Sequence, residues 1–150
     1  MSDALIVFAV IVLGGLMLGA LFSQRGKAPG LVVGRLAPAG PKPNAVCSED
    51  DTPTPDHVEP LRGSMAEVKA AIEATGGTVV TEQDDYIAAT YASKLFRFID
   101  DLEVRDAGDG RVHVRSASRV GYSDMGANRK RVEAIRRRLA AMQGGDNSSV

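Results

Sequence analysis

An uncharged apolar run from Ala4 to Phe22, ALIVFAVIVLGGLMLGALF, limits what this chain can become more than any other feature. As a helix it spans roughly 28 Å, close to the hydrocarbon thickness of a bilayer. No Lys or Arg precedes it and no small-x-small cleavage site follows. The pattern therefore predicts a retained transmembrane helix over residues 4–22 rather than a cleaved signal peptide. Asp3 is the only charged side chain ahead of the run, whereas Arg25, Lys27 and Arg35 follow it. That bias places the rest of the chain on the cytoplasmic side. Gly15 and Gly19 form a small-xxx-small pair through which two copies can dimerise, although glycine is common in such helices anyway.

All seven prolines lie between Pro29 and Pro60. Together with Gly26, Gly30, Gly34 and Gly40 they predict a linker over residues 23–60, extended in part and unable to sustain a helix or a central strand. Its later portion, Pro43 to Leu61, mixes apolar and polar residues and suits packing onto a domain. A tail over residues 143–150, QGGDNSSV, is expected to be disordered.

Residues 61–142 remain for a small α+β domain. Ser64-Met-Ala-Glu67 reads as a capping box, and Met65, Val68 and Ile72 line one face of a helix that Gly76-Gly77 ends. Thr78–Gln83 and Tyr86–Ser93 are β-rich and separated by Asp84-Asp85, a hairpin signal. A second hairpin, Phe96–Arg105 with Arg111–Val120, turns at Ala107-Gly-Asp-Gly110. A last helix starts near Ser123 or Asp124, with Met125, Val132, Ile135, Leu139 and Met142 on its core face. The expected architecture is two layers: a four-stranded antiparallel meander with a flanking helix before it and another after it.

The second hairpin carries more charge than a plain hairpin needs. Pairing Val104 with Val112 would set Asp101 opposite Arg115, Glu103 opposite His113, and Asp100 opposite Ser116 on the apolar side. A carboxylate turned toward a core must be paired, hydrogen-bonded or protonated. Asp100, Ser116, Ser118, Asn128 and Arg129 are accordingly expected to form one polar cluster between sheet and last helix, with Arg129 answering Asp100. Asp101, Glu103, Arg115 and Arg119 add to the candidate ligand-binding set. The plainer reading is a buried network that docks the helix.

The stretches Phe96-Arg-Phe-Ile-Asp-Asp-Leu-Glu103 and Arg115-Ser-Ala-Ser-Arg-Val-Gly-Tyr-Ser-Asp-Met-Gly-Ala-Asn-Arg-Lys-Arg131 resemble the signature of the bacterial domain-of-unknown-function family numbered 1499. Pro43-Asn-Ala-Val-Cys-Ser48 is similar to that family's N-terminal motif, and the likeness runs from about Pro43 to Leu139. The resemblance implies a small α+β domain, often exported or membrane-attached, with no established activity and no catalytic residues to carry over. Exported relatives point to the periplasmic side and the flanking charges to the cytoplasmic side of a bacterial inner membrane, so the side stays open.

Other chemistry is weakly signalled. A pI near 6.1, aromatics at 5% and no Trp argue against a nucleic-acid binder. Cys47 and His57 lie in the Pro-rich segment with no group to position them as a nucleophile and base. Neither His57 nor His113 has ligand spacing to another, so no metal and no cofactor is implied. Gly121–Gly126 precedes a helix N-terminus that suits an anion, but Asp124 would occupy it as the cap. The last helix bears Arg129, Lys130, Arg131, Arg136, Arg137 and Arg138, a solvated face or a contact for anionic lipid. The residues thus favour a single-pass, membrane-anchored, non-catalytic binding or interaction module for an unidentified protein or small molecule. The alternative is an envelope hydrolase with Asp100 or Asp101 as general base.

Overall fold

The computed structural model describes residues 3–146. Helix α1 (Asp3–Gln24) is exposed over most of its length and is long and apolar enough to cross a membrane. Its last turn is different, because Ala20 and Ser23 are buried against the domain. Ser23 Oγ donates to Ala20 O (2.7 Å) and accepts the Ile99 N–H (3.1 Å), tying the helix end to the sheet. Gly19 faces the Phe98 ring, and a Cβ there would stand 3.2 Å from it. That glycine therefore already serves a contact within the chain.

The domain is α+β, but its sheet is larger than four strands. Strands β3 (Ala45–Cys47), β4 (Leu61–Arg62), β5 (Thr78–Glu82), β6 (Tyr86–Ala92), β7 (Ile99–Asp106) and β8 (Arg111–Ser118) pair antiparallel in the order β3-β8-β7-β6-β5. β4 also pairs with β8, so β3 and β4 share its outer edge end to end. Both short strands come from the Pro-rich stretch or its border. Pro43, Pro53, Pro55 and Pro60 flank them without entering them, so every N–H the ladder needs is present.

Residues 23–60 are consequently not a free tether. β1 (Leu31–Val32) and β2 (Arg35–Leu36) form a small hairpin turning at Val33 and Gly34, both with positive φ. The surrounding strap lies across one face of the sheet. Leu36, Ala39, Ala45 and Cys47 pack there with Tyr86, Ala88 and Ala117. The opposite face carries the main core. Val68 and Ile72 from α2 (Met65–Ala74) and Val132, Ile135 and Leu139 from α3 (Ala127–Asp146) meet Ile87, Ala89, Leu102, Val104, Val112 and Val114. The capping box is formed as the sequence reads: Ser64 Oγ accepts the Glu67 N–H, and Glu67 Oε2 accepts the Ser64 N–H. Helix α3 starts three residues beyond Asp124 and runs through Gln143 to Asp146, so the first half of the expected disordered tail is helical. Residues 147–150, the rest of that tail, lie outside the described residues.

The β7–β8 register differs from the sequence reading by two residues. Val104 stands opposite Val114, Asp100 opposite Ser118, Asp101 opposite Ala117 and Glu103 opposite Arg115. The turn is short: Ala107 N–H donates to Arg111 O (3.0 Å), and Gly108 and Gly110 take the positive φ that closes a four-residue loop. A two-residue slip keeps every side chain on its own face and changes only its cross-strand partner.

Candidate functional site

Strand alternation divides the sequence-derived candidates between two faces. Asp100, Ser116 and Ser118 point to the helices, whereas Asp101, Glu103, Arg115 and Arg119 point to the strap. Of the cluster expected from Asp100, Ser116, Ser118, Asn128 and Arg129, the first four come together and Arg129 does not join them, while Arg115 and Arg119 lie on the other face.

On the helix face, Asn128 is the hub and is fully buried. Its Oδ1 accepts from Ser116 Oγ (2.6 Å), and its Nδ2 donates to Ser118 Oγ (3.0 Å), Asn44 O (2.9 Å) and Asp124 Oδ2 (2.7 Å). Asp124 also accepts the Gly126 and Asn128 amides at the start of α3. Burial pushes the Asp124 carboxyl up, but those bonds outweigh it and hold it below the usual range. The partner of Asp100 is Arg131 (2.6 Å), not Arg129. Arg131 also donates to Ser116 Oγ (3.0 Å) and stacks over Tyr91, 4.7 Å from the ring centroid. Arg129 instead grips the carbonyls of His57 and Pro55. Arg131 was legible in the helix phase, since it precedes Ile135 by four residues and shares its face, while Arg129 does not. Among the described residues no buried side-chain polar atom lacks a hydrogen bond, and these bonds join α3 to β7 and β8, so this cluster docks α3 to the sheet.

On the strap face the charges form a ladder. At one end Arg119 makes a bidentate pair with Asp101 (2.7 and 2.8 Å) and donates to Ser23 O at the end of α1 (2.9 Å). In the middle Glu103 is wholly buried. It accepts from Arg115 (3.0 Å), the Tyr86 hydroxyl (2.8 Å) and the Gly30 N–H of the strap (2.9 Å). Burial and then the Glu103 bond push the Tyr86 phenol up. At the far end Glu49, 2% exposed, accepts two bonds from Arg105 (2.6 and 2.8 Å), one from Arg35 (3.1 Å) and the Leu36 N–H (3.0 Å). Burial raises the Glu49 carboxyl, but the hydrogen bonds from Arg105 and Leu36, with charge from His113 and the Arg35 bond, hold it at about 2. His113 Nδ1 lies 3.0 Å from Ser48 O and 3.1 Å from Ser48 Oγ, which seats the ring beside Glu49. Glu49, Arg105, Tyr86 and Gly30 were not singled out from sequence. The alternation of Asp101, Glu103 and Arg105 was the available signal.

An open cleft of about 890 Å³ lies where the ladder meets α1. The end of α1 and the start of the strap form one wall through Gln24, Gly26 and Lys27, and the sheet forms the other through Thr81, Thr90 and Ile99. Gly26 is needed there, because a Cβ would stand 2.8 Å from Arg119 Cδ. Val80 reaches the cleft from a bulge in β5, between Val79 opposite Ala89 and Thr81 opposite Ala88. The cationic side chains are Lys27, Arg97 and Arg119, and among the described residues no carboxylate lines the cleft. Arg119 is neutralised by Asp101, whereas neither Lys27 nor Arg97 has a side-chain partner among the described residues.

The remaining candidates carry no reactive geometry. Cys47 is fully buried and burial pushes its thiol up, away from the nucleophilic thiolate. His57 adjoins it only through backbone bridging. Among the described residues no three His, Cys, Asp or Glu side chains are grouped so as to hold a metal.

Together these features define one apolar helix joined, through a strap that its own domain captures, to a small α+β domain with a charge-laddered face. Residues 35–139 match the family described as Protein of unknown function (DUF1499), and the chain belongs to that family. No curated protein and no solved structure matches it.

Proposed function

We propose that the protein is a single-pass, membrane-anchored binding module of the bacterial inner membrane, without catalytic chemistry of its own. Its ligand site is the cleft at the foot of α1. The observation that carries this reading is the contrast between that cleft and the rest of the charged set. Asp100, Asp101, Glu103 and Glu49 are each held by a guanidinium, and none of them lines the cleft. A general base must face the substrate, and Asp100 and Asp101 are each engaged by an arginine and lie off the cleft, which weighs against a hydrolase built on either. The cleft instead presents unpaired cations, hydroxyls and apolar wall, the mixture of a recognition site.

Native mass spectrometry of the full chain, released from its membrane in mild detergent, tests this. The wild type is expected to carry a noncovalent adduct of defined mass that Thr90→Trp, which fills the cleft, abolishes. A folded Thr90→Trp protein with the same spectrum as the wild type would sink the reading. The side of the membrane is read by reporter fusions after Val150. Arg25 and Lys27 behind the helix, with Asp3 ahead of it, favour the cytoplasm.

A further inference from the structure

We propose that the cleft binds a phosphate group and that the leaflet crossed by α1 supplies it, as the headgroup of an anionic lipid. This rests on the cleft being the ligand site and names what fills it.

Position is the first argument. Gln24, Gly26 and Lys27 line the cleft, and the apolar run ends at Phe22, so the mouth opens within a few residues of the hydrocarbon boundary. The segment between β6 and β7 reaches further. Phe98 packs on Gly19, which lies about 7 Å back along α1 from its end. The loop Lys94-Leu-Phe-Arg-Phe98 is thereby held beside the last turns of the anchor, at the depth where headgroups give way to acyl chains.

The side chains of the loop suit that depth and do not suit water. Leu95 is 80% exposed, and Phe96 meets Phe98 edge to face at 6.3 Å. Lys94 and Arg97 flank the apolar pair, the composition of an element lying in a membrane interface. Arg97 has φ +59, a conformation uncommon for a residue with a side chain. Ser93 holds the loop in place: its carbonyl accepts the Arg97 N–H (3.1 Å) and its Oγ accepts the Phe98 N–H (3.0 Å). This conformation sends Arg97 into the cleft while Leu95 stays on the outside.

Charge is the third argument. Arg105, Arg115, Arg119 and Arg131, within the domain, each hold a carboxylate. Among the described residues Arg25, Lys27, Lys94 and Arg97 hold none; Arg62, Lys130, Arg137 and Arg138 hold none either, but only the first four gather at the foot of the anchor. Four uncompensated cations at a bilayer surface draw anionic lipid. Lys27 and Arg97 project into a cleft free of carboxylate, with the Thr81 and Thr90 hydroxyls to donate to phosphate oxygens and Val80 and Ile99 to meet the glycerol end.

The test uses the full chain in nanodiscs of phosphatidylcholine mixed with phosphatidylglycerol, and counts lipids retained on release into a native mass spectrometer. Phosphatidylglycerol is expected to be retained in preference to phosphatidylcholine. Arg97→Gln and Lys27→Gln are each expected to lower that preference about five-fold. Arg137→Gln, which removes an exposed cation far from the cleft, should leave it unchanged. No preference in the wild type, or an equal effect of all three variants, overturns the proposal. Glycerol 1-phosphate added to discs of phosphatidylcholine alone separates the two sources: its binding without retention of phosphatidylglycerol refutes the lipid source. If neither phosphate binds while an adduct sensitive to Thr90→Trp is still found, the phosphate assignment falls and the binding cleft stands. If that adduct is missing too, both fall.

Discussion

The Glu49 carboxylate offers the sharpest physical test of the charge ladder. It is 2% exposed, yet it is held at about 2 instead of the ordinary 4.5. That difference corresponds to roughly 3 kcal/mol of preference of the folded state for the ionised form. A similar figure follows from geometry, since removing one partner of a buried pair costs about 3–5 kcal/mol. Glu49→Gln keeps the size and can still accept the Leu36 N–H, but it leaves Arg105 without its counter-charge. The full chain would be unfolded with urea in non-ionic detergent and followed by tyrosine fluorescence, which reports the buried Tyr86 and Tyr91. At pH 7 the variant should be less stable than the wild type by about 3 kcal/mol. The sign with pH follows from the depressed value. The contribution is fully present above the unfolded-state value of 4.5 and is lost as pH falls toward 2. The gap between wild type and variant should therefore narrow steadily across that window. Other carboxylates titrate in both proteins and cancel in the difference. A gap below about 1 kcal/mol at pH 7, or one undiminished near pH 2, would refute the assignment of Glu49 as the clasp of the strap.

Three further substitutions probe other parts of the fold. Gly77→Ala would push a methyl to 2.6 Å from Ile72 Cγ2 and 2.9 Å from Tyr91 Cζ, and should lower stability by about 1–3 kcal/mol in the same unfolding assay. Asn128→Ala strips the hub from Ser116, Ser118 and Asp124, with an expected loss of about 1–3 kcal/mol in that assay; a loss under about 0.5 kcal/mol would contradict the docking role. Ser23→Ala removes the acceptor of the Ile99 amide, so hydrogen exchange at Ile99 should quicken about five- to ten-fold while exchange at Val104, deep in β7, stays unchanged.

The readable and unreadable parts of this fold divide along sequence distance. The capping box at Ser64 and the Asp84-Asp85 turn between β5 and β6 are local signals, and the elements they mark lie where expected. The faces of Asp100 and Asp101 also follow from alternation alone. What escaped was set from afar. Pro-rich composition concealed β3, because the force that flattens Ala45–Cys47 is its pairing with Ala117, Ser116 and Arg115, some 70 residues on. The register of β7 on β8 turned on the length of the loop, which Gly108 and Gly110 decide by their φ values. Glu49 had nothing in its neighbourhood to mark it as buried. Its partners are Arg35 and Leu36 on one side and Arg105 on the other, and only the closed strap brings them together. The candidate site suffered most, because a cleft between the end of α1 and the sheet has no counterpart in local pattern.

The strap also sets an order of events during synthesis. Ser23 and Gly30 leave the ribosome soon after the anchor, but their partners Arg119 and Glu103 are 96 and 73 residues downstream. At about 5–20 residues per second, several seconds pass before β8 exists to receive them. Through that interval the apolar helix is already complete, while Glu49 lacks Arg105, 56 residues downstream of it. The ladder can close only when the last strand is laid down, so capture of the strap falls among the final steps of folding. Truncation just before Arg119 would remove the guanidinium that grips Ser23 O and leave α1 held to the sheet only by its contacts with Phe98 and Ile99.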